Sequence, residues 1–304
     1  MVKRVLVTGL WGFVGRSAVA PLLSRKFEIH GTTSRAGQPA FAGVAHLHEI
    51  DLLVDGAVGG LISKVAPTHL LHLAWAPSGT RMRDPAENRA WTKASVSLFE
   101  AFGRARGRRA VFAGSCAEYD WSHEVLSEAD TPSKPATVYG AAKNAVREAI
   151  APASGALEQG CAWARLFFLY GPHEPRGRLV SDICAGLIES RPVELSEGRQ
   201  ERDYLHVADA AEALAALLDS DVRGVINIGS GNAVAIRDIA RVLGERAGRP
   251  DLLAFGRRPL APGEPSRLVA DVGRLIGDLG FAPKYRLEAG LAQTLDWWRS
   301  AHHV

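Results

Sequence analysis

The sequence is poor in cysteine and has no strong excess of charge of either sign. Its 304 residues include three cysteines, and 36 Lys and Arg against 33 Asp and Glu give a formal net charge of +3. Cys116, Cys161 and Cys184 form no CxxC or other metal-ligand spacing, so we expect neither a disulfide framework nor a metal site. Unpaired cysteines are typical of the reduced cytoplasm. The near balance of charge argues against a dedicated nucleic-acid-binding protein.

Long hydrophobic runs are also missing. Lys3 and Arg4 precede an apolar stretch that imitates the start of a signal peptide, but Thr8 and the glycines after it interrupt this stretch. No run of about 18 apolar residues occurs, so we expect no membrane-spanning helix. With 47% hydrophobic and 23% charged residues, the composition is that of a globular chain rather than a disordered one. A soluble cytoplasmic protein fits these observations best.

Short apolar runs alternate with longer helical patterns over the first 168 residues. Such alternation is typical of a parallel sheet with helices on both faces, and it predicts a Rossmann-type, doubly wound α/β fold. In that fold the ligand lies at the carboxyl ends of the strands. The predicted strands are 5–7, 27–33, 44–50, 70–75, 110–113 and 161–168. One predicted helix follows the first strand and ends near residue 25, and two longer helices span about 85–106 and 139–157.

The alternating pattern of the sequence changes after residue 168, where prolines and glycines divide the chain into shorter segments. A helix at 207–218 and a strand at 225–228 indicate a return to the main sheet, and apolar residues from Leu287 to Trp298 have the spacing of a closing amphipathic helix. We therefore predict a dinucleotide-binding domain of residues 1–168, to which 200–230 return. A smaller, mixed α/β substrate domain is predicted to comprise 169–199 and 231–304.

A glycine-rich turn lies between the first predicted strand and helix. Gly9, Gly12 and Gly15 follow a GxxGxxG spacing, in which the first permits a tight turn, the second a close approach of backbone to a pyrophosphate, and the third close packing of helix on strand. The helix that follows points free N–H groups at the phosphates. This pattern predicts a dinucleotide site that comprises Gly9, Trp11, Gly12, Phe13, Val14 and Gly15.

The end of the second strand bears on the choice of cofactor. An acidic residue there is typical of NAD-binding proteins, because it binds the ribose hydroxyls. The sequence has Ser34 and Arg35 instead, and arginine makes charge-assisted hydrogen bonds to phosphate. The alternative is that Arg35 is an ordinary exposed loop residue. We therefore favour NADP(H) as cofactor, with NAD(H) possible.

A tyrosine and a lysine four residues apart form the candidate catalytic pair. Tyr139 and Lys143 lie on one face of a predicted helix, and Ser115 lies just beyond a predicted strand, at the carboxyl edge of the sheet. A free tyrosine has a pKa of roughly 10. A neighbouring ammonium favours the phenolate, which brings the group closer to the range of a general acid or base. A serine hydroxyl at this edge can hold a carbonyl oxygen.

These motifs resemble the short-chain dehydrogenase/reductase superfamily, and in particular its extended branch of NAD(P)-dependent nucleotide-sugar epimerases, dehydratases and reductases. The glycine turn, Ser115 and Tyr139-x-x-x-Lys143 carry the resemblance. Two later segments, which begin at Arg165 and Arg202, resemble the branch's R-x-x-N-x-YGP and R-D-Y-x-H-V-x-D segments. The match runs over most of the chain.

The resemblance implies a role for each matching residue. Ser115 and Tyr139 contact the reacting sugar oxygen, Tyr139 exchanges a proton, and Lys143 binds the ribose of the cofactor and lowers the pKa of the tyrosine. The resemblance also implies that Asp51 and Leu52 lie at the adenine of the cofactor. It implies that Ala74 and Trp75 form part of the wall of the cofactor site, and that Arg202 binds the diphosphate of the substrate.

Some positions depart from the family pattern. Trp91 and Phe168 stand where the family has asparagines, which makes the predicted sugar pocket more apolar or differently shaped. Cys116 and the alanine after it replace the Asp-Glu pair of the dehydratases, so dehydration is not expected. His173 either transfers a proton or contacts loop or substrate, and Cys116 is either a small buried residue or a thiol at the site. The predicted substrate-binding residues are Cys116, Phe168, His173 and Arg202.

The preferred hypothesis is NADPH-dependent reduction of a keto sugar attached to a nucleoside diphosphate, in carbohydrate biosynthesis. The alternative is a nucleotide-sugar epimerase that retains its NAD(P). A third possibility is a cofactor-binding regulator or scaffold without activity. From its relatives, the chain is expected to form a homodimer through the helices at 85–106 and 139–157, and no nucleic-acid or membrane partner is expected.

Overall fold

A computed structural model describes residues 2–39, 41–76, 80–158 and 160–301. Strands occur throughout the described residues, and all of them are shorter than eight residues. In chain order they are β1 (Lys3–Thr8), β2 (Phe27–Thr33), β3 (Val44–Glu49), β4 (His69–His72), β5 (Arg109–Ser115), β6 (Val125–Leu126), β7 (Gly160–Leu166), β8 (Phe168–Tyr170), β9 (Val193–Glu194), β10 (Glu201–His206), β11 (Gly224–Ile228), β12 (Ala233–Ala235), β13 (Leu253–Ala254) and β14 (Arg267–Ala270).

The helices connect these strands and cover both faces of the larger sheet. Their bounds are α1 (Phe13–Ser24), α2 (Ala57–Val65), α3 (Thr80–Arg83), α4 (Pro85–Arg104), α5 (Val138–Ile150), α6 (Leu179–Ile188), α7 (Val207–Leu218), α8 (Ile236–Ala247), α9 (Gly273–Gly277) and α10 (Leu287–Ala301). A short 3-10 helix, Cys116–Glu118, follows β5 directly.

The larger sheet has seven parallel strands in the order β11-β7-β5-β4-β1-β2-β3. The strand order reverses between β1 and β4, and in open α/β sheets ligands bind at the carboxyl ends of the strands beside such a reversal. The predicted Rossmann-type fold is confirmed. The glycine turn after β1 and the segments after β4 and β5 all lie at this edge.

The larger sheet is buried on both faces. Val5, Leu6 and Val7 are fully buried, although their side chains alternate between the two faces. Val5 and Val7 belong to a core that includes residues of α1 and α7, whereas Leu6 belongs to a second core with residues of α2, α4 and α5. A strand covered on both faces is typical of a parallel sheet, which explains why these strands are continuously apolar in the sequence.

A smaller sheet has the strand order β12-β10-β14-β6, and β8 also pairs with β10. The chain therefore leaves the larger sheet at Phe167, between β7 and β8. The prediction of one strand over 161–168 is wrong in this respect, because Phe168 begins a separate strand that pairs with Tyr204. A third apolar core, around α6, α8 and α10, packs beside this sheet.

The returning segment is divided between the two sheets. β10 pairs within the smaller sheet, whereas α7 packs on α1 and β11 pairs with β7 in the larger sheet. The division into two domains remains a prediction, and residues 302–304 of the second predicted domain lie outside the described residues. Within 2–39, 41–76, 80–158 and 160–301, no helix has both the length and the apolar character needed to cross a bilayer.

Candidate active site

The glycine turn between β1 and α1 is tightly packed. Gly9 has a φ of +70°, and a Cβ there would lie 3.0 Å from the Cα of Ala74. At Gly15 a Cβ would lie 2.3 Å from the carbonyl oxygen of Gly9. Gly12 is the N-cap of α1 and contributes no side-chain cap, so the N–H groups of Phe13 and Val14 at the start of the helix are available to an anion.

Trp11, inside the glycine turn, has an unsatisfied donor. Its Nε1 is buried and has no hydrogen-bond partner among the residues that the structure describes. Its ring lies 4.6 Å from that of Phe41, and the Arg16 guanidinium lies 4.9 Å from the ring centre. Three features fit a dinucleotide at this position: glycines that have no room for a side chain, a helix start without a side-chain cap, and a buried indole donor without a partner.

Two arginines lie near the end of β2. Ser34 and Arg35 are exposed, and the Arg35 backbone N–H donates to Thr33 Oγ1 at 3.1 Å. Burial and, to a smaller extent, the charge of Arg35 lower the pKa of Arg16, so the two guanidinium groups are close enough to repel one another. An anion between them would relieve this repulsion. Arg16 was not among the predicted residues.

The predicted adenine-binding residues follow β3. Asp51 is exposed, and its Oδ1 accepts a hydrogen bond from the backbone N–H of Leu53 at 2.9 Å. Leu52 is buried and belongs to the core that includes Ala74. The sequence order therefore places an exposed carboxylate beside an apolar side chain at the same edge of the sheet as the glycine turn.

Ser115 is the last residue of β5 and the N-cap of the 3-10 helix. Its Oγ accepts from the N–H of Ala117 at 3.1 Å, and Glu118 Oε1 accepts from the N–H of Ser115 at 2.7 Å, which completes a capping box. The hydroxyl is therefore held at the carboxyl end of the sheet, where the prediction expected it.

Glu118 is the centre of a buried polar network beneath this turn. It is fully buried and lies 2.9 Å from Arg165 Nε. The indole N–H of Trp163 donates to both carboxylate oxygens, at 3.0 and 2.9 Å. The Arg165 guanidinium in turn lies 3.9 Å from the ring centre of Tyr119. Arg165, the arginine of the R-x-x-N-x-YGP segment, thus supports the serine turn through Glu118.

Tyr139 and Lys143 project from the first turns of α5. Tyr139 is half-buried, and burial raises its pKa to about 12; the charge of Arg178 and the side chain of Ser115 act in the opposite direction. The lysine Nζ donates to the carbonyl oxygen of Ala113 at 2.8 Å. That Lys143 lowers the tyrosine pKa stays a prediction.

The Lys143 ammonium is deeply buried. Its exposed fraction is 3%, and burial lowers its pKa to about 7, while the charge of Glu118 acts in the opposite direction. The Nζ atom lies 3.9 Å from the ring centre of Trp75 and 5.9 Å from that of Tyr139. A lysine with a pKa near neutrality at the carboxyl edge of a parallel sheet is a candidate functional group on physical grounds.

A buried hydrogen-bond chain fixes the segment after β4. Thr8 Oγ1 accepts from the N–H groups of Leu73 and Ala74 and lies 2.7 Å from His72 Nδ1. His72 Nε2 lies 2.8 Å from Ser95 Oγ. Burial, and secondarily the charge of Lys143, lower the pKa of His72 to about 3, so the ring is neutral. This chain holds the backbone that carries Trp75.

Asn88, on α4, was missed by the sequence analysis. It is 1% exposed, and its Oδ1 accepts from Trp75 Nε1 at 3.1 Å. Its amide group donates to the carbonyl oxygens of Met82 and Asp84. Trp91, which the resemblance placed at the family's asparagine, stacks on Trp75 with ring centres 6.0 Å apart. An asparagine is therefore present one helical turn earlier, with a tryptophan as its partner.

Two of the predicted substrate-binding residues lie together in the smaller sheet. Arg202 is 3% exposed, forms an ion pair with Glu264, and places its guanidinium 5.8 Å from the ring centre of Phe168. Phe168 also contacts Tyr204, with ring centres 5.8 Å apart. The predicted diphosphate-binding arginine is thus paired with a carboxylate.

Cys116 and His173 have quite different surroundings. Cys116 is buried, and burial raises the pKa of its thiol to about 12, which makes it a poor nucleophile or proton donor near neutrality. His173 is exposed and has a φ of +67°. Its Nδ1 is hydrogen-bonded to Arg16, and its ring centre lies 4.6 Å from that of Trp297. His173 therefore connects the glycine-turn helix to α10.

Comparison with known proteins gives consistent matches. The model of the NAD dependent epimerase/dehydratase family matches residues 5–229. A UDP-glucose 4-epimerase from Azospirillum brasilense is 29% identical over 337 residues, covering 98% of this chain and 92% of the relative. These matches include the glycine turn and the segments that carry Ser115, Tyr139 and Lys143.

Solved structures agree with these matches. MoeE5 in complex with UDP-glucose and NAD is 30% identical, with a TM-score of 0.86 over 98% of this chain and 99% of MoeE5. The UDP-glucose 4-epimerase of Thermus thermophilus in complex with NAD is 27% identical, with a TM-score of 0.87 over 98% of this chain and 99% of the other. The likeness therefore includes the smaller sheet as well as the larger one.

Proposed function

Because the chain belongs to the NAD dependent epimerase/dehydratase family and is an enzyme of the extended short-chain dehydrogenase/reductase type, we propose that it is a nucleotide-sugar 4-epimerase with a retained nicotinamide cofactor. The sequence alone favoured reduction of a keto sugar. The relatives support the alternative hypothesis, epimerisation, because UDP-glucose 4-epimerases match 98% of this chain.

The observation that carries the proposal is the convergence of three side chains at one edge of the sheet. Ser115 ends β5, and Tyr139 lies close enough for the serine side chain to lower its pKa. Lys143 lies one helical turn further along α5, beside the last residues of the same strand. An oxygen of the sugar held by Ser115 would then have a proton acceptor and an ammonium within the same pocket.

Each of these residues has a distinct task in the proposed reaction. The bound nicotinamide supplies a reversible acceptor for the hydride of the sugar carbon. Tyr139, as the phenolate, takes the proton of the sugar hydroxyl and returns it after the sugar has presented its other face. Ser115 stabilises the oxygen while it is a carbonyl. Lys143 offsets the negative charge of the phenolate, whose formation is otherwise opposed by burial.

The residues that would hold the cofactor come from four segments. The glycine turn and the start of α1 bind the diphosphate, Asp51 and Leu52 border the adenine, and Trp75 with Lys143 borders the nicotinamide half. Related structures bind NAD. The charge of Arg35 acts on Arg16, and an additional phosphate near these two arginines would be bound by charge-assisted hydrogen bonds, which supports NADP(H) as the preferred cofactor of this chain.

The same two arginines also support a second candidate function. A preference for NADP would suit a reductase that consumes NADPH and releases the oxidised form at each turnover. Reduction of a nucleotide-linked keto sugar therefore remains the alternative proposal. It uses the same Ser115, Tyr139 and Lys143.

One experiment separates the two functions. Purified protein is incubated in D2O with UDP-glucose, UDP-galactose or another nucleotide hexose and NAD or NADP, and in parallel with a keto-sugar nucleotide and NADPH, and the products are analysed by NMR. Epimerisation predicts a mixture of both C4 epimers, no net reduced cofactor, and no solvent deuterium at C4 because the same hydride returns. Net consumption of NADPH with a keto-sugar nucleotide, and no interconversion of the hexoses, would overturn the epimerase proposal.

Assembly and location are further parts of the proposal. We propose a homodimer with an isologous interface on α4 and α5, which pack side by side on one face of the larger sheet. Light scattering at micromolar concentration should give twice the mass of 32.6 kDa, and a monomer would contradict it. The three unpaired cysteines support a reduced, cytoplasmic location.

A further inference from the structure

Among the residues that the structure describes, few groups near the Lys143 ammonium can balance its charge. Its Nζ donates a hydrogen bond to the carbonyl oxygen of Ala113 and lies 3.9 Å from the centre of the Trp75 ring. A cation at this distance from an indole face is attracted by the ring quadrupole, and the attraction is strongest when both groups are desolvated. Lys143 meets that condition, because 3% of it is exposed.

Trp75 is held in place on several sides. Its Nε1 donates to Asn88, whose own amide group is committed to two backbone carbonyls. Trp91 stacks on the ring, and Tyr139 meets it edge-on with ring centres 6.2 Å apart. Because the indole is fixed in this way, it can hold the Lys143 ammonium in one position.

Within the described residues, the other titratable and charged groups around the pair come from four segments. On α5, Tyr139 faces Trp75 and is neutral near pH 7. On β4, His72 is neutral. After β5, Glu118 favours the charged lysine, although it is already paired with Arg165, and Cys116 is a neutral thiol near Tyr139. The charge of Arg178, before α6, acts on Tyr139.

We propose that Trp75 is a positioning residue that keeps Lys143 charged and directed toward Tyr139 through a cation–π contact. The inference rests on the proposed function only in the role that it gives Lys143. The indole takes the place of the carboxylate that commonly stabilises a buried ammonium. A carboxylate here would bind the lysine more strongly, but it would also oppose the phenolate of Tyr139, whereas a neutral ring does not.

The contact can be tested in the chain without ligands. We would titrate the tryptophan fluorescence from pH 5 to 10 in the unmodified protein, in Trp75→Phe, in Lys143→Met, and in Trp91→Phe as a matched control. The Trp75 signal should change with a midpoint near pH 7, as Lys143 loses its proton. Trp75→Phe and Lys143→Met should lose this transition, and Trp91→Phe should keep it. A transition that persists unchanged in Lys143→Met overturns the proposal.

A second measurement tests the consequence for the lysine. NADH and NADPH binding, followed by nucleotide fluorescence, should weaken as the pH rises through the midpoint of Lys143. Trp75→Leu removes the ring quadrupole, so this midpoint should fall by about 0.5–1.5 pH units. Trp75→Phe keeps an aromatic face and should shift it less. Equal midpoints in the Leu variant and the unmodified protein, with melting curves that show both are folded, would also overturn the proposal.

Failure of this inference is distinguishable from failure of the proposed function. The fluorescence titration needs neither substrate nor turnover. If the Trp75 transition is present and no nucleotide hexose is epimerised, the cation–π contact stands and the epimerase proposal falls. If epimerisation is observed and the transition is absent, the opposite conclusion holds.

Discussion

Glu118 and Arg165 form an ion pair of 2.9 Å whose two side chains are 0% and 3% exposed. The same carboxylate accepts the backbone N–H of Ser115 and thereby fixes the turn that presents the serine hydroxyl. A buried pair of this kind contributes little net stability, but the loss of one partner leaves a desolvated charge behind. The pair is therefore a structural support that the site depends on.

The first prediction concerns this support. Glu118→Gln keeps an acceptor for Ser115 but leaves the Arg165 guanidinium buried without a counter-charge. We expect a loss of about 3–5 kcal/mol in the free energy of unfolding, measured by urea denaturation. The double variant Glu118→Gln with Arg165→Met should recover part of this loss. If the double variant were less stable than the single one, the buried charge would not be the cause.

The second prediction concerns Tyr139. Tyr139→Phe keeps the ring against Trp75 and removes only the hydroxyl. We expect kcat to fall by on the order of 10²–10⁴, because a general acid–base group is lost, while cofactor affinity by calorimetry stays nearly unchanged. Ser115→Ala should lower kcat with little effect on cofactor affinity, as the loss of one donor to an oxyanion does. Full turnover in Tyr139→Phe would show that the tyrosine is not the proton acceptor.

The third prediction follows from the low pKa of Lys143. Unfolded lysine keeps its proton up to about pH 10.5, whereas the folded lysine releases it near pH 7. Between these values the unfolded state binds more protons, so this group makes the fold more stable as the pH rises. The cost of burying the ammonium is fully present below pH 7.

Lys143→Met should therefore stabilise the protein while abolishing activity. Allowing for the lost hydrogen bond to Ala113, we expect a gain of roughly 1–3 kcal/mol at pH 6–7 that shrinks toward pH 10. Thermal melts of both proteins at several pH values measure the difference. A gain that is the same at pH 6 and pH 10 would exclude the titration of Lys143 as its source.

The fourth prediction concerns the cofactor. If Arg35 binds the additional phosphate of NADP, Arg35→Ala should reduce the preference for NADP over NAD by roughly tenfold or more, the effect of one charge-assisted hydrogen bond. Arg241→Ala, on the exposed face of α8, serves as the matched control and should leave both affinities unchanged. Equal affinity of the unmodified protein for NADP and NAD, measured by calorimetry, would refute the proposed preference.

Elements with a strong local pattern were predicted from the sequence. β2 and α7 have the predicted bounds, because apolar runs and helical periodicity are local properties. β8 was merged with β7, because an apolar run through Phe167 and Phe168 contains no turn signal. Only the pairing of Phe168 with Tyr204 separates the two strands, and that partner is distant in the sequence.

The residues proposed for the candidate site came from the sequence and stay predictions, whereas the contacts between them could not be predicted from it. Trp75 was placed beside the cofactor on the basis of a family resemblance, but nothing in the sequence indicates that its ring covers Lys143. That contact depends on Asn88, which reaches Trp75 only when α4 packs beside the segment after β4. His173 was predicted to transfer a proton or to contact loop or substrate, and this stays a prediction; its contacts with Arg16 and Trp297 join segments far apart in the sequence.

The pairing of β6 with β14 has a consequence for the order of synthesis. Leu126 lies in the segment that follows the serine turn, yet its strand partner is Ala270. Asn227 joins the two by donating to the carbonyl oxygens of Leu126 and Asp271. A ribosome must therefore complete most of the chain before this segment can dock, although the first five strands of the larger sheet can already associate. The larger sheet can therefore begin to form early in synthesis, whereas the smaller sheet that joins β6 to β14 can be completed only late.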